Sequence, residues 1–154
     1  MKLTKIILVV LGIAFVVIQF IQPGRNKNGQ VSVTDISKVV TIPDSVQVIL
    51  KNACYDCHSN NTAYPWYSYI QPVGWFLAKD ISEAKEMLNF SEFGEYPARR
   101  QLNKFDVIAD EVSNNGMPLP SYRLLHKNAR LNKNEKVLLT NWAQHSEESL
   151  SVSN

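Results

Sequence analysis

The stretch Cys54-Tyr55-Asp56-Cys57-His58 limits what this chain can become more than any other five residues. Two thiols lie three residues apart and an imidazole follows at once, so the fold must present all three to one common partner. C-x-x-C-H is the attachment sequence of a c-type haem. At that spacing the thiols reach the two vinyl groups of one porphyrin, and the adjoining imidazole lies beneath the iron. Cys54 and Cys57 are the chain's two cysteines, so the pattern predicts a single covalently attached haem c with His58 as its proximal ligand.

Three other uses of the motif fit less well. A thioredoxin-like dithiol expects a strand and then a helix within alternating β and α elements, and nothing upstream of Cys54 reads as a sheet. Zinc would need Cys54, Cys57 and two of His58, His126 and His145. The last two are nineteen residues apart, where a zinc motif wants about three to five. A disulfide between the two cysteines would close a tight loop with no structural benefit.

The chain has 154 residues and a formal net charge of +2, and Lys2 and Lys5 account for that excess. The remainder balances fourteen basic against fourteen acidic side chains. It carries no Lys/Arg stripe, which argues against nucleic acid as a partner. The two lysines precede an apolar run over residues 6–21, broken by Gly12 and Gln19. Sixteen residues are short of the roughly 20 of a comfortable span, and longer than a signal-peptide core. Gln22-Pro23-Gly24 follows in place of a small-x-small cleavage site, so residues 1–21 read as an uncleaved anchor in preference to a removed signal. Bacterial systems attach haem covalently outside the cytoplasmic membrane, so an export segment and a haem motif support each other. The expected location is the cell envelope, anchored in the inner membrane with the haem domain in the periplasm.

Residues 22–42 are polar and aperiodic and read as a linker. A haem-binding domain is expected over 43–146 and a polar tail over 147–154. Its first helix opens at Pro43-Asp44, and Val46, Ile49, Leu50, Ala53 and Cys57 recur on one face. A second helix runs from Pro72 to about Leu88. A third runs from about Pro97 to Asn114, with Gly116 just past its end. The last opens at Asn132, with Glu135 three residues on as a capping box. No pair of alternating strands is visible, so the fold class is all-α, a small cytochrome c-like helical domain.

A thioether commonly closes the iron opposite the histidine and raises its potential. Met117 sits in Gly116-Met117-Pro118-Leu119-Pro120, where two prolines hold a loop that follows a helix stop. Met87 reads as core filler inside a helix. His126 is the rival ligand, although a half-exposed loop histidine near a propionate suits it better, and His145 reads as surface. Tyr64, Trp66, Tyr67, Tyr69, Trp75 and Phe76 are candidates to shield a porphyrin, and Arg99, Arg100 and Arg123 to pair with propionates. The carbonyl of Pro65 or Pro72 is the expected partner of the His58 Nδ1.

Several segments together resemble the bacterial haem-binding-domain family of small exported c-type cytochromes. They are the Cys54–Thr62 run, Tyr64-Pro65-Trp66-Tyr67-Ser68, Ile70-Gln71-Pro72-Val73-Gly74-Trp75, Leu88-Asn89-Phe90-Ser91-Glu92-Phe93 and Met117-Pro118-Leu119. The resemblance covers about residues 45–145. It implies haem c on Cys54 and Cys57, His58 on the iron and Met117 as the natural sixth ligand. Members often carry a histidine where this chain has Asp80, a departure that favours Met117. The function expected is single-electron transfer between redox partner proteins, with no enzymatic activity. The alternative is a gas or redox sensor, or a peroxidase-like enzyme. Either would need an open sixth position, and the enzyme a distal acid-base group such as Glu92, Glu95 or His126.

Overall fold

The computed structural model describes residues 2–153; Met1 of the expected anchor and Asn154 of the expected tail lie outside them. Among the described residues seven α-helices occur, in the order α1 (Lys2–Ile18), α2 (Asp44–Ala53), α3 (Tyr55–His58), α4 (Val73–Met87), α5 (Ala98–Ser113), α6 (Pro120–Leu125) and α7 (Lys133–Ser153). Short 3-10 turns occupy Ile36–Lys38, Trp66–Tyr69, Phe90–Glu95 and Lys127–Ala129. Among the described residues there is no strand, only one isolated bridge between Lys27 and Asn61. The fold is all-helical, as the periodicity predicts.

Amphipathic spacing places the core. Val46, Ile49, Leu50 and Ala53 of α2 are buried, as are Phe105, Ile108, Ala109 and Val112 of α5. The pairing of α5 with α7 is the most extensive between helices. At its centre the Phe105 ring lies 5.2 Å from Phe93 and 5.6 Å from Trp142, centroid to centroid. Both geometries are tilted or edge-on, as the ring quadrupole prefers. The Trp142 indole donates to the Thr41 carbonyl at 3.1 Å, so its one polar atom is satisfied.

The expected helix ends hold with two differences. The capping box forms: the Glu135 amide donates to Asn132 Oδ1 at 3.0 Å, and the Asn132 amide to Glu135 Oε2 at 2.8 Å. However, α7 does not give way to a polar tail at residue 147; it continues to Ser153 and sets Leu150 against the core. At the end of α5 the left-handed residue is Asn115 (φ 62°), not Gly116. A Cβ at Gly116 would meet the Glu111 carboxylate, the far end of an exposed side chain that is free to turn aside.

Residues 22–42 are not a free linker. Asn26 donates through its backbone to the Tyr64 hydroxyl (2.8 Å) and through Nδ2 to the Ser59 carbonyl (2.7 Å), and it accepts from the Thr62 amide (2.9 Å). Ile36 is fully buried in the core. Backbone and side-chain hydrogen bonds attach this stretch, and they leave no hydrophobic period to read.

α1 stands apart: residues 2–17 are all exposed although the helix is apolar nearly throughout. No helix among the described residues is long and apolar enough to cross a membrane by itself.

Candidate functional site

The motif sits on a break between helices. α2 ends at Ala53, Cys54 leaves the helical region (φ −126°, ψ −45°), and Tyr55–His58 forms one further turn. The single helical face expected from Val46 to Cys57 is therefore interrupted at the first cysteine. The turn is closed by the Cys57 and His58 amides, which donate to the Cys54 carbonyl at 3.1 and 2.9 Å. Asp56, between the two cysteines, is tied from three sides. Its backbone carbonyl accepts from the Thr62 hydroxyl (2.6 Å), and its carboxylate accepts from the Ala63 amide (3.0 Å) and the Tyr122 hydroxyl (2.6 Å).

Cys54, Cys57 and His58 all face a largely apolar cleft of about 170 Å³. Leu50, Leu88, Phe90, Ile108 and Val112 form much of its wall, and Met117-Pro118-Leu119 contributes another stretch. Sites for organic cofactors are typically apolar concavities with few polar groups. Here the polar groups that line it include Asp80, Lys104, Glu111 and Tyr122.

His58 is oriented by the end of α4, not by Pro65 or Pro72. Its Nδ1 donates to the carbonyls of Leu88 (2.9 Å) and Ala84 (3.1 Å). Leu88 lies just past the last turn of α4, where carbonyls go without intrahelical amide partners, while the Ala84 carbonyl already accepts from the Leu88 amide at 2.8 Å and offers the imidazole its second lone pair. Two acceptors at Nδ1 fix the hydrogen there and leave the Nε2 lone pair as the ring's ligating atom. Burial holds the imidazole below its ordinary ionisation range, although the two carbonyl bonds pull the other way, so the neutral form is favoured.

Both thiols are pushed up to about 12, chiefly by burial. Secondary contributions come from the neighbouring thiol at Cys54 and from Asp56 and Asp80 at Cys57. Such sulfurs disfavour the thiolate that zinc binding requires, whereas a thioether carries no charge into the cleft. His126 and His145 stand outside the cleft, so no Cys₂His₂ set is assembled.

Met117 follows α5 and its amide donates to the Glu111 carbonyl at 3.1 Å. Its side chain is half-buried and lines the cleft, next to a buried Pro118. Met87 also borders the cleft but is the last residue of α4 and 64% exposed, so it is not core filler.

Other expectations are redirected. His126 is half-buried and stacks on Tyr122 (4.0 Å, 14°), with Nε2 against the Tyr67 hydroxyl. Trp66, Tyr69 and Phe76 are exposed and none of them lines the cleft, whose aromatic residues are Phe90 and Tyr122. Arg99, Arg100 and Arg123 do not line it either: Arg100 covers the Tyr96 ring at 4.3 Å and Arg123 donates to the Asn115 carbonyl. Lys104 is the cation on the cleft wall, and burial first, then Arg100, lowers its ionisation. Glu92 accepts from Asn60 and Glu95 from Thr34, outside the cleft. Asp80, Lys104, Glu111 and Tyr122 were missed by residue-level reasoning because they approach the motif only through packing. Only the Asp80 departure within the family pattern pointed toward the cleft.

The donor set suits haem. An apolar slot holds a neutral, pre-oriented imidazole, two uncharged sulfurs and a thioether-bearing loop. A family model described as a haem-binding domain matches residues 13–145, which include the whole cleft. No curated protein and no solved structure matches the chain. The chain belongs to the haem-binding-domain family.

Proposed function

We propose that this protein is a membrane-tethered, monohaem c-type cytochrome that passes single electrons between redox partner proteins in the cell envelope and catalyses no reaction of its own. The observation that carries this reading is the convergence of Cys54, Cys57, His58 and Met117 on one apolar cleft. Haem, when bound, supplies an iron that cycles between two oxidation states, with a potential set by axial ligands and by the dryness of the pocket. Cys54 and Cys57 would hold the vinyl groups as thioethers. His58 would present Nε2, oriented through Leu88 and Ala84, and Met117 the sixth ligand. The two methionines differ in origin. Met87 belongs to the helix end that holds His58, whereas Met117 comes from a separate loop that also lines the cleft.

Covalent attachment is tested by expression with a haem-attachment system. The intact mass should rise by one haem, and the haem should survive denaturation and acid extraction. Cys54→Ala together with Cys57→Ala should abolish the added mass. Zinc recovered in place of haem would refute the reading.

The membrane tether is supported by α1, whose exposed apolar surface is costly in water. A helix apolar all round ordinarily lies in a protein core or a bilayer. Its 17 residues rise about 26 Å at 1.5 Å each, short of the hydrocarbon thickness of roughly 30 Å, a mismatch that local bilayer thinning and snorkelling of Lys2 and Lys5 would offset. The protein should stay in the membrane fraction through high-salt washing and keep Met1 or Lys2 at its N-terminus. A soluble product beginning between residues 20 and 32 would show a cleaved signal instead.

A further inference from the structure

The end of α1 is clasped to the helical domain. Gln71, fully buried, donates its amide to Gln19 Oε1 (2.8 Å) and its Nε2 to Gln22 Oε1 (3.0 Å). The Gln19 and Gln22 side chains return bonds to the carbonyls of Gln71 and Tyr69, both at 3.2 Å. The Trp75 indole donates to the Ile21 carbonyl at 2.8 Å. Gly74 makes room for this clasp, since a Cβ there would stand 2.5 Å from the Ser68 carbonyl oxygen and 2.8 Å from Gln71 Nε2. The direction in which α1 leaves the domain is thus set by a reciprocal polar network and not by a loose joint.

The elements that make the clasp also carry exposed apolar side chains. Trp66 is 76% exposed, Phe76 65%, Tyr69 53% and Val73 41%. Val73 and Phe76 are three residues apart on α4 and share a face. Beside them the half-buried Arg25 guanidinium lies between two rings, 4.0 Å from Tyr69 and 4.5 Å from Tyr64, and donates to the Ser68 hydroxyl (3.1 Å) and carbonyl (3.4 Å), with no carboxylate partner among the described residues. Tryptophan, tyrosine and arginine at the exit of an apolar helix match the composition of a membrane–water boundary. Apolar rings enter the acyl edge there, and the cation meets anionic headgroups.

We propose that the surface formed by Trp66, Tyr69, Val73 and Phe76, with Arg25, rests on the headgroup layer of the bilayer that holds α1. The inference rests on the reading of α1 as membrane-inserted. The patch is continuous with α1 through the clasp, and the clasp forbids the domain to swing away from the surface. The domain is therefore held in one orientation, and the haem cleft keeps a fixed height and heading above the lipid.

The test is hydroxyl-radical labelling of the full-length, haem-loaded protein in nanodiscs of phosphatidylethanolamine and phosphatidylglycerol, with each residue's rate normalised to its rate in the unfolded chain. Trp66 and Phe76 should be labelled roughly fivefold more slowly than Leu124, which is 73% exposed on α6. Trp66→Ser with Phe76→Ser should leave incorporation into nanodiscs unchanged, because α1 is intact, while labelling of Val73 and Tyr69 rises. Incorporated protein whose Trp66 is labelled as fast as Leu124 overturns the proposal and leaves the anchor standing. Protein that never enters the nanodiscs overturns both. Protection that appears only with two copies per disc assigns the surface to a second copy and removes lipid as its occupant.

Discussion

Met117→Ala should lower the midpoint potential, remove the weak near-infrared sulfur-to-iron band of the oxidised protein and let the reduced protein bind carbon monoxide. A thioether stabilises ferrous iron, so its loss costs a measurable part of the roughly 0.8 V over which axial ligands tune haem potentials. The prediction rests on the half-buried position of Met117 in the cleft and on the hydrogen bond its backbone amide donates to the Glu111 carbonyl, which anchors its loop. Met87→Ala should change none of these readouts. At 64% exposure it should also alter stability by no more than about 0.5 kcal/mol. His126→Ala should leave the spectrum alone, since its ring stands outside the cleft, held against Tyr122 and Tyr67. A Met117→Ala protein that stays low-spin and unchanged, beside a His126→Ala protein whose spectrum shifts, would make the haem bis-histidine.

Phe105→Ala should cost about 3–5 kcal/mol, the largest stability loss expected from one core substitution here. Phe105 is fully buried and its ring bridges Phe93 and Trp142, so truncation leaves a cavity between the 3-10 turn at Phe90–Glu95, α5 and α7. Urea titration should show a lower midpoint with an unchanged slope, the mark of lost packing without a change in the surface exposed on unfolding. A loss below about 1 kcal/mol would mean that the surrounding rings collapse into the space. Phe105 borders neither the cysteines nor His58, so the haem spectrum of the folded variant should match that of the parent.

Helices announced themselves by period. α4, α5 and the cap of α7 fall within about two residues of where apolar spacing, Pro72, Pro97 and the Asn132–Glu135 pair place them. The stretch over 22–42 was illegible because polar bonds from Asn26 and one buried side chain, Ile36, attach it to the domain. The break at Cys54 was hidden because Cys54 and Cys57 sit at a spacing that an uninterrupted helix would also accept. Aromatic density after the motif misled for a related reason. Composition records that Trp66, Tyr69 and Phe76 are apolar but not which way they face, and in the fold they turn outward.

The sequence alone determined the chemistry on offer: two thiols and an imidazole in one short turn, a thioether beside prolines, helices by period and an apolar leader. These are local properties, set by residue type and by spacings shorter than a few helical turns. Tertiary structure alone decided which groups meet. The carbonyls of Ala84 and Leu88 choose the His58 nitrogen, α5 brings Lys104 and Glu111 to the cleft wall, and α6 lays Tyr122 on Asp56. Each of these contacts joins residues far apart in the chain, so none of them follows from local sequence without the core that α2, α5 and α7 bury together.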